Sequence, residues 1–489
     1  MGFYNMLKDM CFSSHLWISG RACEAVSGKQ FDCLSPRDGK LLVRVAEGDE
    51  DDIGVAVKAA RAASGSWARQ SPKQRRRYLL QLADIIESHQ DELALLESLD
   101  TGKPITHAKR DDIPLSINCL RFYAEAIDKH YDEIAPTASD VLATIRREPL
   151  GVVGAVVPWN FPLMIACWKV APALAAGNTV VLKPAEQSPL TAIRLAELAT
   201  AAGLPDGVIN VVPGYGETAG AALGRHPDVD AISFTGSGPV GRLFLSYAAE
   251  SNMKAVFLEC GGKSPQIVFD DADDLDKAAQ AVAQGICYNQ GQVCSAGSRL
   301  LVQHSIADEF IDRVLSHVDA WSLGDPLDPA TRMGALIESK HLERVQRFID
   351  IGREEGATLI SEGKRHSPCE GGFYLPSTIF DHVQKDMTLA QEEIFGPVLA
   401  VTRFKDEAEA LELANATRFG LAAAVWTSSL SRAHRISRDI KAGTVWVNNY
   451  DGSDITVPFG GFGESGNGRD KSLHALDKMS QLKSTWIQF

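Results

Sequence analysis

Between residues 151 and 259 the chain alternates short apolar runs with helix-length segments, and this rhythm limits its fold more than any other feature. Residues 151–157 form a β-branched run that stops at Pro158. Residues 163–176 have the length of a helix and end at Gly177-Asn178. Residues 179–182 read as a strand stopped by Lys183-Pro184, and 190–202 as a helix ended by Gly203, the residue that best tolerates a left-handed cap. Runs at 208–212, 231–234 and 255–258 supply further strands. Continuous apolar strands separated by helices predict a parallel, doubly wound sheet covered on both faces. Such sheets bind ligands beyond the C-terminal ends of their strands. Asn160, Lys183 and Gly236 all fall just past a strand.

The rest of the chain is read around this unit. Residues 53–63 and 74–99 carry apolar positions three and four apart, so the stretch from 50 to 135 is expected to be mostly helical. A second α/β region runs from about 263 to 470, with 398–404, 422–427 and 444–448 its clearest strands. A helical piece after 471 leads into Thr485-Trp486-Ile487, a late apolar strand of the kind that pairs with another chain or domain, or else lies at a plain sheet edge. A single core stops growing near ~250–300 residues, so 489 residues imply two or three units.

Several function classes drop out. Sixty-three acidic against 49 basic residues leave a net charge of −14, which argues against a nucleic-acid or anionic-membrane surface. No run approaches the ~20 apolar residues of a membrane span. Residues 1–16 hold no basic segment followed by an apolar run, so no signal peptide is expected. Nine cysteines without a C-x-x-C pair fit free thiols in a reducing compartment, and the expected location is the cytoplasm. Twelve histidines without H-E-x-x-H spacing predict no metal.

Two local patterns carry chemistry. Gly236-Ser237-Gly238-Pro239-Val240-Gly241 matches G-x-G-x-x-G after a strand, and Glu259 stands eighteen residues past Gly241 at the end of the next strand. That spacing fits a ribose ligand. Glu259 also opens the tight turn Glu259-Cys260-Gly261-Gly262-Lys263, where a carboxylate can face a reaction centre; spacing does not separate the two roles. Cys294 lies in Gln290-Gly291-Gln292-Val293-Cys294-Ser295-Ala296-Gly297, where glycines and amides make a poor core strand and a plausible exposed nucleophile. Cys119, Cys167 and Cys287 fall in apolar helical stretches and read as packing residues.

With these residues in place, the chain resembles the aldehyde dehydrogenase superfamily. Pro158-Trp159-Asn160-Phe161-Pro162, Lys183-Pro184-Ala185-Glu186, Phe234-Thr235-Gly236-Ser237, Glu259-Cys260-Gly261-Gly262-Lys263, Gly291-Gln292-Val293-Cys294, Glu392-Glu393-Ile394-Phe395-Gly396-Pro397 and Pro458-Phe459-Gly460-Gly461 stand in the family's order. The match runs from about Trp17 to the C-terminus. The resemblance implies two doubly wound α/β domains plus a small oligomerisation segment. Residues 1–126 and 150–261 would bind NAD, 262–470 would form the catalytic domain, and 127–149 with 471–489 would join subunits into a dimer or tetramer.

The resemblance also assigns roles. Cys294 adds to a small-molecule aldehyde, giving a thiohemiacetal and then a thioester. The Asn160 amide and the Cys294 backbone N–H hold the oxyanion, donors that contribute about 3–4 kcal/mol each in other enzymes. Glu259 activates the water that releases the acid. Trp159 is placed with the cofactor, Lys183 and Glu186 on its adenine ribose, and Glu393 on its nicotinamide ribose with Phe395 packing nearby. Gly236, Ser237 and Gly241 belong to the helix start that faces the pyrophosphate. A carboxylate at Glu186 repels a 2′-phosphate, which favours NAD+ over NADP+. Three positions depart from the family: Gly238 for a common Thr, Cys260 for a common Leu, and Asp470 for a common Glu that relays protons to the base. Asp470 is one methylene shorter, so a water is expected between it and Glu259.

Within the family the chain resembles bacterial γ-glutamyl-γ-aminobutyraldehyde and 4-guanidinobutyraldehyde dehydrogenases of putrescine and arginine breakdown. The stretches Asp100-Thr101-Gly102-Lys103-Pro104-Ile105 and Gly466-Asn467-Gly468-Arg469-Asp470-Lys471-Ser472-Leu473-His474 carry that likeness. Asp111 and Asp112 fall on the helix that borders the family's substrate channel, and Asp451 and Asp454 in the loop at its mouth. Acidic groups there attract an amine or guanidinium at the far end of the aldehyde. Phe161, Trp168 and Trp446 are expected to pack the methylene chain or stack on the cation. Alternatives are a betaine-aldehyde or broad-range aliphatic aldehyde dehydrogenase and, from another class, a non-catalytic binding or structural protein that kept the fold.

Overall fold

A computed structural model describes residues 6, 7 and 10–489. The N-terminal reading at 1–5, 8 and 9 lies outside the described residues. Two seven-stranded sheets organise the chain. The first runs, in spatial order, Ala255–Glu259, Ala231–Thr235, Val152–Val156, Thr179–Lys183 and Ile209–Val211, all parallel. The antiparallel pair Leu16–Ile18 and Arg21–Cys23 extends one edge. Strands of this sheet are buried on both faces, which is why they read as unbroken apolar runs rather than alternating ones. Three-residue strands such as Leu16–Ile18 are too short to show any period, and they were not legible beforehand.

Strand order reverses between Val152–Val156 and Ala231–Thr235, because the chain builds outward on one side of the first strand and then returns to its other side. Connections leave opposite faces there, and a crevice opens past the strand ends. Trp159 and Asn160 follow one of these strands and Gly236 follows the other.

The second sheet draws its strands from residues 265–447, in the order Thr358–Glu362, Thr378–Asp381, Val398–Phe404, Arg299–Gln303, Pro265–Val268, Ala422–Trp426 and Thr444–Val447. Its first pair is antiparallel and the rest parallel. The helical stretch read as 74–99 is two helices, Pro72–Ser88 and Gln90–Thr101. His89 leaves helical geometry between them, its Nδ1 meeting the Ile85 carbonyl at 2.8 Å. The last strand, Ser480–Gln488, pairs antiparallel along its whole length with Val141–Pro149 of the same chain. Among the described residues no strand pairs with its other edge, and Leu482, Trp486 and Phe489 are exposed.

Candidate active site

A cavity of about 450 Å³ occupies the switch-point crevice, and its wall includes Trp159, Asn160, Gly236, Ser237, Glu259, Cys294, Glu393 and Phe395. The helix Gly238–Glu250 starts at this wall. Ser237 precedes it in extended geometry and makes no side-chain cap, which leaves the first-turn N–H groups directed to the cavity end. A helix start with uncapped donors, set in the switch-point crevice, fits the pyrophosphate of a dinucleotide. Gly241 is buried in the first turn, packed near the Cys260 sulfur.

Cys294 sits on an unusual piece of backbone. The helix Leu275–Cys287 ends at Tyr288, and the next two residues, Asn289 and Gln290, are both left-handed at φ 46° and 56°. Neither is glycine, so the conformation is strained and must be held from outside. The Asn289 amide donates to the carbonyls of Asn160 and Gln292, and the Gln292 side chain accepts the Ile337 N–H at 3.0 Å. Cys294 is partly exposed to the cavity. Burial pushes its thiol up to about 12, reinforced by the nearby carboxylates of Glu393 and Glu259. Burial thus opposes the thiolate through which a cysteine nucleophile acts.

Asn160 is buried beside it. Its Nδ2 gives one N–H to the Gln292 carbonyl at 3.0 Å, and its Oδ1 has no partner. Glu259 ends its strand in the same wall, 4 % exposed, with neither carboxylate oxygen hydrogen-bonded. Burial pushes its carboxyl up to about 8, with Asp470 adding to the rise and Lys169 opposing it. Asp470 is fixed between two ammonium groups, Lys169 Nζ at 2.5 Å and Lys478 Nζ at 2.5 Å. Burial raises its carboxyl, but the two lysines outweigh that and hold it below the usual range. Lys169 was missed in the sequence, although it is the single charged residue of the otherwise apolar helix Pro162–Ala176.

Glu393 and Phe395 lie on a loop gripped by the helix Ser339–Glu354. His341 meets the Phe395 carbonyl at 2.7 Å, and Arg344 donates to the carbonyls of Ile394 and Glu393. Phe395 is itself left-handed at φ 60° and meets the Trp159 ring edge-on at 5.2 Å. The Glu393 carboxylate accepts the Gly262 N–H at 3.1 Å, and burial pushes it up to about 7. A Cβ on Gly261 would lie 1.9 Å from that carboxylate, and one on Gly262 would lie 2.9 Å from the Cys294 carbonyl. These glycines let the Cys294 segment and the Glu393 loop close in on the turn after Glu259. Lys183 and Glu186 form an ion pair at 3.1 Å beyond the next strand, outside the residues that line this cavity.

The expected channel residues divide. Trp168 lines the cavity and packs against Phe459 with ring centres 5.6 Å apart. Asp111 is paired bidentately with Arg110 at 2.8 and 2.7 Å and also accepts from Tyr288 Oη at 2.9 Å. Asp451 is exposed on its loop, yet surrounding protein pushes its carboxyl up to about 6, with Lys471 opposing and Asp111 adding. Asp454 is also exposed, but its Oδ1 accepts both the N–H and the hydroxyl of Thr456, which ties it into its own turn. Asp112 lies elsewhere. It is fully buried and bonded to the Lys103 ammonium, so it does not face a channel. Phe161 is buried with Lys103 over its ring at 3.8 Å, and Trp446 is buried against Tyr450; neither lines the cavity.

A crevice of this kind serves a dinucleotide, and a thiol facing an unpaired buried carboxylate serves covalent acyl chemistry. The class this defines is a nicotinamide-dependent oxidoreductase that works through a cysteine adduct. The model of the aldehyde dehydrogenase family matches residues 23–485, and the chain belongs to that family. It is 54 % identical over 481 residues to the NADP/NAD-dependent aldehyde dehydrogenase PuuC of Escherichia coli K12, covering 98 % of this chain and 96 % of that one. The solved gamma-glutamyl-gamma-aminobutyraldehyde dehydrogenase of Burkholderia cenocepacia J2315 is 51 % identical, superposes with a TM-score of 0.97, and each chain covers 99 % of the other. The P. syringae indole-3-acetaldehyde dehydrogenase AldA, solved with NAD+ and IAA, is 52 % identical at a TM-score of 0.98, covering 100 % of this chain and 99 % of that one. The chain is an NAD-dependent aldehyde dehydrogenase.

Proposed function

We propose that this enzyme oxidises an aldehyde bearing nitrogen at its far end, of the ω-amino, guanidino or γ-glutamylamino kind, to the carboxylic acid. The observation that carries the reading is the exposed Asp451, close enough to Asp111 to feel its charge, on the same loop as Tyr450, whose hydroxyl donates to the Ser295 carbonyl beside Cys294. An ammonium or guanidinium at that point gains chiefly from Asp451, because Asp111 is already paired with Arg110. Aromatic Trp168 and Phe459 cover the stem between. A relative named for an aminobutyraldehyde supports the reading, and one named for indole-3-acetaldehyde supplies its competitor.

In this reading Cys294 reacts as the thiolate, its proton lost to solvent; Sγ bonds to the aldehyde carbon and the carbonyl oxygen becomes an oxyanion. The second N–H of the Asn160 amide and the Cys294 backbone N–H receive it. NAD+, when bound, supplies the acceptor for the hydride whose departure leaves a thioester on Cys294. Glu259 then takes a proton from the water that attacks the thioester carbon. Lys169 and Lys478 hold Asp470 charged, and Asp470 in turn keeps Glu259 basic. For the cofactor, the Gly236–Gly241 helix start takes the pyrophosphate and Glu393 the nicotinamide ribose, with Trp159 and Phe395 flanking. Glu186 and Lys183 take the adenine ribose. The residues 1–126 with 150–261, and 262–470, act as cofactor and catalytic units. The open edge at Trp486 and Phe489 joins subunits into a homo-oligomer in the cytoplasm.

NADH release at 340 nm tests the reading with propionaldehyde, indole-3-acetaldehyde, 4-aminobutyraldehyde, 4-guanidinobutyraldehyde and the γ-glutamyl conjugate. The nitrogen-bearing aliphatic aldehydes are expected to give the highest kcat/KM. A higher value for indole-3-acetaldehyde or propionaldehyde overturns it.

A further inference from the structure

The dinucleotide brings an anionic pyrophosphate to a wall that is itself acidic. The carboxylates of Glu259, Glu392, Glu393, Glu464 and Asp470 line the cavity, against the guanidiniums of Arg242, Arg344 and Arg418 and, among the described residues, no lysine. The helix start alone supplies only about half an elementary charge. Two of the guanidiniums are already committed. Arg344 gives its Nη atoms to the carbonyls of Ile394 and Glu393. Arg418 grips both oxygens of Glu392 and reaches Glu464 through Nε at 3.0 Å. Arg242 differs. Among the described residues its one ion pair is with Glu464, 2.8 Å from Nη2, and its Nε and Nη1 donate to nothing.

The arginine is also well placed. It stands in the second turn of the helix Gly238–Glu250 and folds back over the start, so that Nη1 lies 3.8 Å from where a Gly238 Cβ would be. Gly238 is the position where the family commonly has Thr, whose Cβ would touch the guanidinium there; the glycine leaves that approach bare. Glu464 is fixed from its own backbone. Its N–H donates to the Arg418 carbonyl at 3.0 Å, and the next residue, Ser465, accepts the Cys260 N–H at 2.9 Å and, on Oγ, the Gly420 N–H at 3.0 Å. The Arg242 side chain is exposed and held at a single point, so of the pair it is the member free to move.

We propose that Arg242 is a phosphate-binding residue of the cofactor site, with Glu464 as its counter-ion while no cofactor is bound. The group it takes is a diphosphate, which a guanidinium meets with paired, charge-assisted N–H···O bonds. Glu464 competes with that diphosphate for the guanidinium and sets a like charge near it. The inference rests on the reading that puts the pyrophosphate at the Gly236–Gly241 helix start.

The test titrates the full-length enzyme at low ionic strength with NADH, followed by its fluorescence, and with ADP-ribose and adenosine as displacing ligands. The wild type is expected to bind ADP-ribose more tightly than adenosine. Arg242→Gln should raise the Kd of NADH and ADP-ribose about fivefold, leave adenosine within about twofold, and be partly rescued by Arg242→Lys. Glu464→Gln should act the other way and lower the Kd of NADH and ADP-ribose about twofold or more. Substitutions on the two sides of one ion pair then move affinity in opposite directions, which a pair that merely braces the rim would not do. Unchanged ADP-ribose affinity in Arg242→Gln overturns the proposal. So does a loss of affinity from both substitutions, or an equal loss for adenosine and ADP-ribose. Failure of the underlying reading shows separately, as a wild-type enzyme that binds adenosine as tightly as ADP-ribose; the diphosphate then has no place at the helix start and Arg242 no ligand.

Discussion

Release of the acid should follow the ionisation of Glu259. Its carboxyl is pushed from the ordinary 4.5 to about 8 by burial and by Asp470. That shift costs the ionised form roughly 5 kcal/mol relative to an exposed carboxyl. The base is the carboxylate, so the active fraction grows as pH rises: about 9 % at pH 7 and about 90 % at pH 9. Thioester hydrolysis should therefore climb about tenfold across those two units and level off above them. Glu259→Gln removes the base and should slow the step by about 10²–10⁴-fold while flattening the profile. The assay is a single turnover with limiting radiolabelled aldehyde and saturating NAD+, quenched in acid, with protein-bound and free label separated from pH 6 to 10. NADH formation in the first turnover should survive the substitution, because the thioester still forms. A variant that releases acid at the wild-type rate, or a wild-type profile that is already flat by pH 7, refutes the role and the buried, unpaired geometry from which it is argued.

Glu393→Gln removes a negative neighbour of Cys294, so the thiol should ionise at lower pH; alkylation of the NAD-free enzyme by iodoacetamide should shift its pH profile downward, and an unmoved profile would contradict the placement. Glu186→Gln should raise the NADP+ to NAD+ ratio of kcat/KM by about tenfold, roughly 1.4 kcal/mol, because a carboxylate no longer opposes the 2′-phosphate and Lys183 is freed from its pair. Asp451→Asn should raise KM for 4-aminobutyraldehyde at least about fivefold more than for propionaldehyde, roughly 1 kcal/mol of lost attraction. Asp454→Ala should affect both aldehydes equally, since that carboxylate caps Thr456 and acts on the loop rather than on a cation.

The doubly wound unit was legible because burial on both faces removes alternation from its strands, and glycine and proline punctuate the helices between them. The proposed nucleophile and base are marked in the sequence by the glycine-rich stretches around them, and the structure brings both to one cavity wall. What could not be read was charge compensation across long separations. Asp111 and Asp112 are adjacent in sequence and look alike there. One turns toward Tyr288 and the other is buried against Lys103, and only the packing of Lys103 beneath Phe161 separates them. Lys169 and Asp470 stand 301 positions apart, so no local pattern joins them. Phe161 precedes the helix Pro162–Ala176 in non-helical geometry and Trp168 lies inside it, so the first meets a buried ammonium and the second the cavity.

The same geometry explains why the reactive residues come with so much glycine. Three segments converge on a thiol and a carboxylate that must both stay unpaired and dry. Side chains at the crossing points would either bond to those groups or push them apart. A Cβ on Gly468 would lie 2.7 Å from Glu259 Oε1, inside contact distance. Gly468 also donates its N–H to the Leu258 carbonyl at 2.8 Å, one residue before the base. That hydrogen bond fixes the strand end without touching the carboxylate. Backbone donors thus carry the positioning, and the carboxylate keeps both oxygens for water. The raised affinity of Glu259 for a proton is then a consequence of how the chain is held there: nearby backbone donors bond to other backbone, and the ammonium groups of Lys169 and Lys478, which favour its charge from a distance, are bonded to Asp470.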